Sequence, residues 1–137
     1  MRLVFVAAHL SVPYFTVVLR KGYGLGAQAM AAGGLDAPVF TVSWPTGEFG
    51  AMGLEGAVKL GFRKELEAAA EGPERESLYR KLVDQQYAAG SAINMATTLE
   101  IDAVIDPAET RSWLVKGLDG AAQMPRPPAP TRFVDAW

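Results

Sequence analysis

Short apolar runs alternate with glycine- and proline-rich breaks along this chain, and their spacing predicts alternating helices and strands. Residues Arg2 to Leu10 are apolar on most sides. They predict the end of a buried helix, stopped by Pro13, which lacks the amide a continuing helix needs. Tyr14 to Leu19 is rich in aromatic and β-branched residues and predicts a strand buried on both faces. Arg20-Lys21-Gly22-Tyr23-Gly24-Leu25-Gly26 reads as a glycine-punctuated turn, followed by a helix of small residues over Ala27–Ala32 that Gly33-Gly34 ends. Val39 to Trp44 predicts a second strand, Pro45-Thr46-Gly47 a turn, and Glu48 to Met52 a short third strand. A helix is expected from Gly53 through Phe62 and on to Ala70.

Gly72-Pro73 breaks the chain and opens the next helix, proline being tolerated in a first turn. There Leu78, Tyr79, Leu82, Val83, Gln86 and Tyr87 fall on one stripe at helical spacing, with Arg75, Arg80, Lys81 and Asp84 mostly elsewhere. Gly90 permits a bend, Ala92–Thr98 continues helical, and Ile101–Ile105 reads as a short strand. Asp106, Pro107 and Glu109 have the spacing of a capped helix start, with Trp113, Leu114 and Leu118 supplying that helix's apolar contacts. Strand, turn, helix, strand, turn, helix is the rhythm of an α/β domain with crossover connections. The segment Pro125–Pro130 is proline-rich and predicts an extended tail, with Phe133, Val134 and Trp137 apolar enough to dock.

With 137 residues, half of them apolar, the chain suits one globular domain. Thirteen basic residues against 15 acidic ones, a formal net charge of -2, make nucleic acid an unexpected partner. Without cysteine there are no disulfides, thiolate nucleophiles or cysteine metal sites. The single histidine, His9, leaves no material for a histidine-based metal cluster, so no metal is expected. A Ser-His-Asp triad would have to pass through His9, whose simpler reading is a partly buried helix residue. No run is apolar for long enough to span a bilayer. Met1–Ala8 has only a superficial likeness to a signal peptide, and the default is a cytoplasmic protein.

The chemistry therefore has to come from somewhere other than the usual side chains. A strand ending in glycines and feeding a helix points several backbone N–H groups into one small space, which suits an oxyanion or a phosphate. For a bare glycine pattern the simplest reading is a tight turn with no ligand. A dinucleotide fingerprint is a second reading, since Gly24-Leu25-Gly26-Ala27-Gln28-Ala29 imitates G-x-G-x-x-A. It fails its cheapest check, because the next strand ends Thr41-Val42-Ser43-Trp44 without the acidic residue that would hold a ribose. The third reading is an oxyanion hole for an enolate, which needs only main-chain amides.

Pro13 with Thr16-Val17-Val18-Leu19-Arg20-Lys21-Gly22-Tyr23-Gly24, then Trp44-Pro45-Thr46-Gly47-Glu48, Met52-Gly53-Leu54-Glu55-Gly56-Ala57-Val58 and Ile101–Arg111 resembles the biotin-dependent acyl-CoA carboxylase β subunits of the propionyl-CoA and methylcrotonyl-CoA type. The blocks keep the family's order up to the proline-rich tail. The resemblance implies an α/β, crotonase-like fold, of which this chain is the later part of a second domain: residues 1–122 as that partial domain, 123–137 as the tail. It implies transfer of a carboxyl group from carboxybiotin to an acyl-CoA. The backbone amides of Leu25 and Gly26 would hold the anion left on biotin, with Gly24 shaping the turn. Biotin would be borne by a separate carrier protein or biotin carboxylase subunit, and the site would be completed in a homo-oligomer.

The chain departs from the family in two places. Many members read Gly-Gly-Ala after the tyrosine, where this chain has Gly24-Leu25-Gly26. Propionyl- and acetyl-type members often place an aspartate lining the acyl pocket where this chain has Gln28, the candidate substrate-pocket residue. Trp44 and Met52 are expected to pack, Glu48 and Glu55 to be polar or capping groups. Since Met1 falls inside an expected helix and the family's CoA-binding domain is missing, the chain is expected to be a fragment, inactive alone. Another crotonase-like acyl-CoA enzyme, a hydratase or isomerase, and a non-catalytic association module are the alternatives.

Overall fold

The computed structural model describes residues 2–124. Within it, strands β1 (Phe15–Val18), β3 (Phe40–Ser43) and β5 (Ala103–Val104) form a parallel sheet in the order β1-β3-β5. Strands β2 (Lys21–Tyr23) and β4 (Glu48–Gly50) form a second, two-stranded parallel sheet. The chain thus leaves the first sheet twice for the second, once after β1 and once after β3. Both exits are tied together. Trp44 N–H donates to Val18 O at 2.9 Å, Glu48 N–H to Arg20 O at 2.7 Å and the Thr46 hydroxyl to Leu19 O at 2.6 Å. Gly47 packs closely at this corner, where a Cβ would run into the Ser43 hydroxyl.

Seven helices surround the sheets: α1 (Arg2–Ala8), α2 (Gly24–Met30), α3 (Leu54–Gly61), α4 (Arg63–Ala68), α5 (Pro73–Ala89), α6 (Ala92–Thr97) and α7 (Thr110–Gln123), all among the described residues. Strand β3 is central and buried at every position. Its Phe40 and Val42 meet Phe15, Val17, Trp113 and Leu114 in one cluster, with the Phe15 and Phe40 rings 4.9 Å apart. Burying side chains of this size contributes on the order of 2 kcal/mol each. Helix α7 approaches closely through Gly117, where a Cβ would meet the Phe40 and Phe15 rings at 2.6 and 2.7 Å. The second cluster gathers Phe49, Ala92 and Ile101 with Val18, Leu35 and Met95. Of the buried polar residues in β3, Thr41 donates its hydroxyl to Leu35 O, and Ser43 donates to Trp44 O at 2.9 Å.

The local signals read from the chain hold where they are self-contained. Along α5 the stripe from Leu78 to Tyr87 is half-buried while Arg80, Lys81 and Asp84 are exposed. Asp106 and Glu109 form the expected capping box, here on a 3-10 turn (Pro107–Glu109) that runs into α7. Several expectations need correction. Helix α1 stops at Ala8, before Pro13 can act, and Leu3, Val4, Val6 and Leu10 are exposed rather than buried. His9 lies just past it, exposed, with Nδ1 2.8 Å from Phe5 O. Strand β1 is half-buried because it lies at the edge of its sheet. Lys21–Tyr23, read as turn, is strand β2, and α2 starts at Gly24 instead of Ala27. The helix expected from Gly53 to Ala70 breaks at Phe62, and Gly117 replaces the exposed Leu118 as the close contact of α7. The tail Pro125–Pro130 and Phe133, Val134 and Trp137 lie outside the described residues.

Candidate active site

The glycine turn is built from the junction of β2 and α2. Tyr23 is extended (φ −106°, ψ 130°), Gly24 switches to the left-handed region (φ +57°), and the helix follows. Only glycine fits at position 24, on two counts. Its φ is one that L side chains rarely adopt, and a Cβ would lie 2.5 Å from Ala51 O in the loop after β4. The first N–H groups of a helix have no intrahelical acceptor. Here no side chain caps them. Among the described residues, neither the Leu25 nor the Gly26 N–H donates outside the helix. Leu25, 82 % exposed, and Gly26 both lie at the surface, and a Cβ at Gly26 would meet nothing within 4 Å. Gln28, one turn on, is also exposed. The residues singled out in the sequence are therefore gathered at one accessible helix start, with main-chain donors able to hold negative charge.

A polar cluster beside the turn was not foreseen as one. The Tyr23 hydroxyl donates to Glu48 Oε2 at 2.6 Å, and Arg20 Nε lies 3.9 Å from Glu48 Oε1. Burial, and then the bond to Glu48, pushes the Tyr23 phenol well above its ordinary range. Nearby the Tyr87 hydroxyl donates to Glu55 Oε1 at 2.7 Å, holding the Glu55 carboxyl below the usual carboxylate range and raising Tyr87. Glu55 lies in the first turn of α3. Trp44 packs as expected and donates its indole N–H to Thr110 Oγ1 at 3.0 Å, whereas Met52 is 42 % exposed and does not pack as a core residue. No signal in the linear sequence pairs Tyr23 with Glu48, because the pairing depends on β2 lying beside β4. Among the described residues no group of His, Asp or Glu is placed to hold a metal ion.

Known proteins place the chain in a family. The Carboxyl transferase domain family matches residues 2–134, and the chain belongs to that family. It is 35% identical over 118 residues to the methylmalonyl-CoA carboxyltransferase 12S subunit of Propionibacterium freudenreichii subsp. shermanii, a match that covers 86% of this chain and 22% of that one. Among solved structures, it superposes on transcarboxylase 12S, a hexamer with methylmalonyl-coenzyme A bound, with a TM-score of 0.84 and 29% identity over 98% of this chain and 25% of that one. A single-chain, multi-domain long-chain acyl-CoA carboxylase is 50% identical, with a TM-score of 0.71, over 84% of this chain and 11% of that one. The fold is thus the α/β, crotonase-like fold of carboxyltransferase domains, present in part. The chain spans about a fifth of the length of the curated relatives it matches.

Proposed function

We propose that this chain forms the biotin-side part of an acyl-CoA carboxyltransferase, with residues 1–122 as the later part of a crotonase-like domain and 123–137 as its tail. The observation that carries this reading is the uncapped, exposed start of α2, where the Leu25 and Gly26 N–H groups have no acceptor in the described chain, in a protein of the carboxyltransferase family. Two fixed neutral donors suit an oxygen whose charge develops during reaction, since they need no reorganisation and no proton transfer. Carboxybiotin would supply the activated carboxyl group there, leaving biotin with negative charge on an oxygen. Leu25 and Gly26 donate to that oxygen, and Gly24 sets the turn that presents them. Gln28, exposed one turn further on, faces the acyl substrate.

Biotin is borne on a separate carrier protein or biotin carboxylase subunit, and homo-oligomer assembly completes the site. No helix among the described residues is long and apolar enough to cross a membrane, in keeping with a cytoplasmic setting. Because the chain spans so small a share of its relatives, the isolated 137 residues are expected to give no turnover. The family match favours this reading over a hydratase or isomerase of the same fold, and over a purely associative module.

Gly26→Pro tests it in the assembled carboxyltransferase that carries this chain. The substitution removes one N–H in a first turn that tolerates proline. Carboxyl transfer is expected to fall by about 10²–10³-fold with acyl-CoA binding retained. Gly26→Ala, which keeps the N–H and has open space for its methyl group, is expected to lose far less. Normal transfer by Gly26→Pro, or a loss of acyl-CoA affinity in its place, would contradict the assignment.

A further inference from the structure

The start of α2 does not hold itself in place. The helix has seven residues, none buried, and no side-chain cap. Its far end is held by packing on α1 and by the Tyr14 hydroxyl, which donates to Met30 O, whereas its first residues follow directly from a three-residue strand that pairs only with β4. In that pairing Lys21 stands opposite Glu48 and Tyr23 opposite Gly50, so Glu48 and Tyr23 are diagonal neighbours two positions apart. Two long side chains can bridge that offset, since neighbouring strands lie about 4.8 Å apart. Here the reach is used: the Tyr23 hydroxyl donates to Glu48 Oε2 at 2.6 Å.

Glu48 is itself anchored from the other side. Its N–H donates to Arg20 O at 2.7 Å, and it forms a bridge with Ser91 between α5 and α6. The residues flanking it are held as well, Phe49 N–H by Gly90 O at 2.7 Å and Gly47 O by Ala92 N–H at 3.1 Å. Gly24, directly after Tyr23, rests against Ala51 O in the segment that follows β4. The turn therefore touches the β4 segment at both ends of one dipeptide, by a side-chain bond at Tyr23 and by backbone contact at Gly24.

We propose that Tyr23 and Glu48 are a positioning pair, which fixes the β2–α2 junction to β4 so that the Leu25 and Gly26 amides are held in one orientation. The inference rests on the reading of that turn as the anion site. The two side chains bond to each other, so on this reading the pair acts through geometry. Misplacing reacting groups by about 1 Å costs up to about a hundredfold in rate. Tyr23 remains a phenol, and so a donor, throughout the neutral range, because burial and Glu48 both disfavour its ionisation.

The test is a double-mutant cycle in the assembled carboxyltransferase. Tyr23→Phe keeps the ring and removes the hydroxyl; Glu48→Ala removes the acceptor. Each is expected to lower kcat for carboxyl transfer by about tenfold to a hundredfold with KM for acyl-CoA within about twofold. The double variant is expected to be no worse than either single one, because both remove the same bond. Glu48→Gln, which keeps a carbonyl acceptor, should recover most of the loss. Additive losses, an unchanged kcat in Tyr23→Phe, or a loss seen only in KM would overturn the proposal. Should Glu48→Ala fail to fold, Tyr23→Phe and Glu48→Gln decide alone. Gly26→Pro, measured in parallel, separates the two levels. If it abolishes transfer while Tyr23→Phe does not, the positioning role falls and the anion site stands. If it transfers normally, both fall.

Discussion

At the scale of single residues, glycine does different work at neighbouring positions. Gly24 is fixed by its left-handed φ and by Ala51 O, whereas Gly26 has open space around it. Only the N–H of Gly26 gives that position a chemical use, and the Gly26→Pro and Gly26→Ala pair isolates it. Tyr23 makes a separate prediction in pH. Its phenol ionises less readily in the folded protein than in the unfolded chain, where the ordinary value is about 10. A group raised on folding contributes its full stabilisation below the unfolded value and loses it as pH rises through the folded one. Thermal midpoints of the native chain are therefore expected to drop from about pH 10 upward more steeply than those of Tyr23→Phe. Parallel curves would mean that the hydroxyl is not held as described. Gln28 can be tested by Gln28→Asp, which is expected to change the ratio of kcat/KM between short and longer acyl-CoAs; a ratio that stays constant would remove it from the acyl pocket.

Among the elements, legibility followed locality. The α5 stripe and the Asp106–Glu109 capping box could be read directly, because each is decided by residues three or four apart. Strand β2 could not. Lys21-Gly22-Tyr23 has turn-forming composition, and it becomes a strand only because β4, more than twenty residues on, offers it a partner. The same non-local cause hid the Tyr23–Glu48 bond. The apolar face of α1 pointed to burial, but periodicity shows only that a face is apolar and not what covers it. Close packing makes a stability prediction at this scale. Gly90 lies where α5 meets β4, and a Cβ there would be 2.1 Å from Phe49 O. Gly90→Ala is expected to lose about 1–3 kcal/mol in denaturant unfolding. Gly34→Ala, with nothing within 4 Å, is expected to change by less than about 0.5 kcal/mol. Equal effects would show that the β4–α5 contact is looser than described.

For the whole molecule, the family and the fold class were legible because ordered blocks of sequence carried the resemblance, while the division of strands between two sheets was not. Exposed apolar side chains remain at Leu3 and Val6 on α1, at Leu25 and Met30 on α2, and at Leu60, Ile93 and Leu99. Clustered apolar surface favours association, and α1 and α2, which carry four of these side chains, pack against each other. Sedimentation of the isolated chain is expected to show mass rising with concentration, and a monomer at all concentrations would contradict that. A crystal structure of the assembled carboxyltransferase with biotin in the site measures directly where biotin's ureido oxygen binds. The oxygen is predicted to lie about 2.7–3.1 Å from both the Leu25 and Gly26 nitrogens. An oxygen bound elsewhere, with those two nitrogens donating to the protein's own carbonyls, would contradict it.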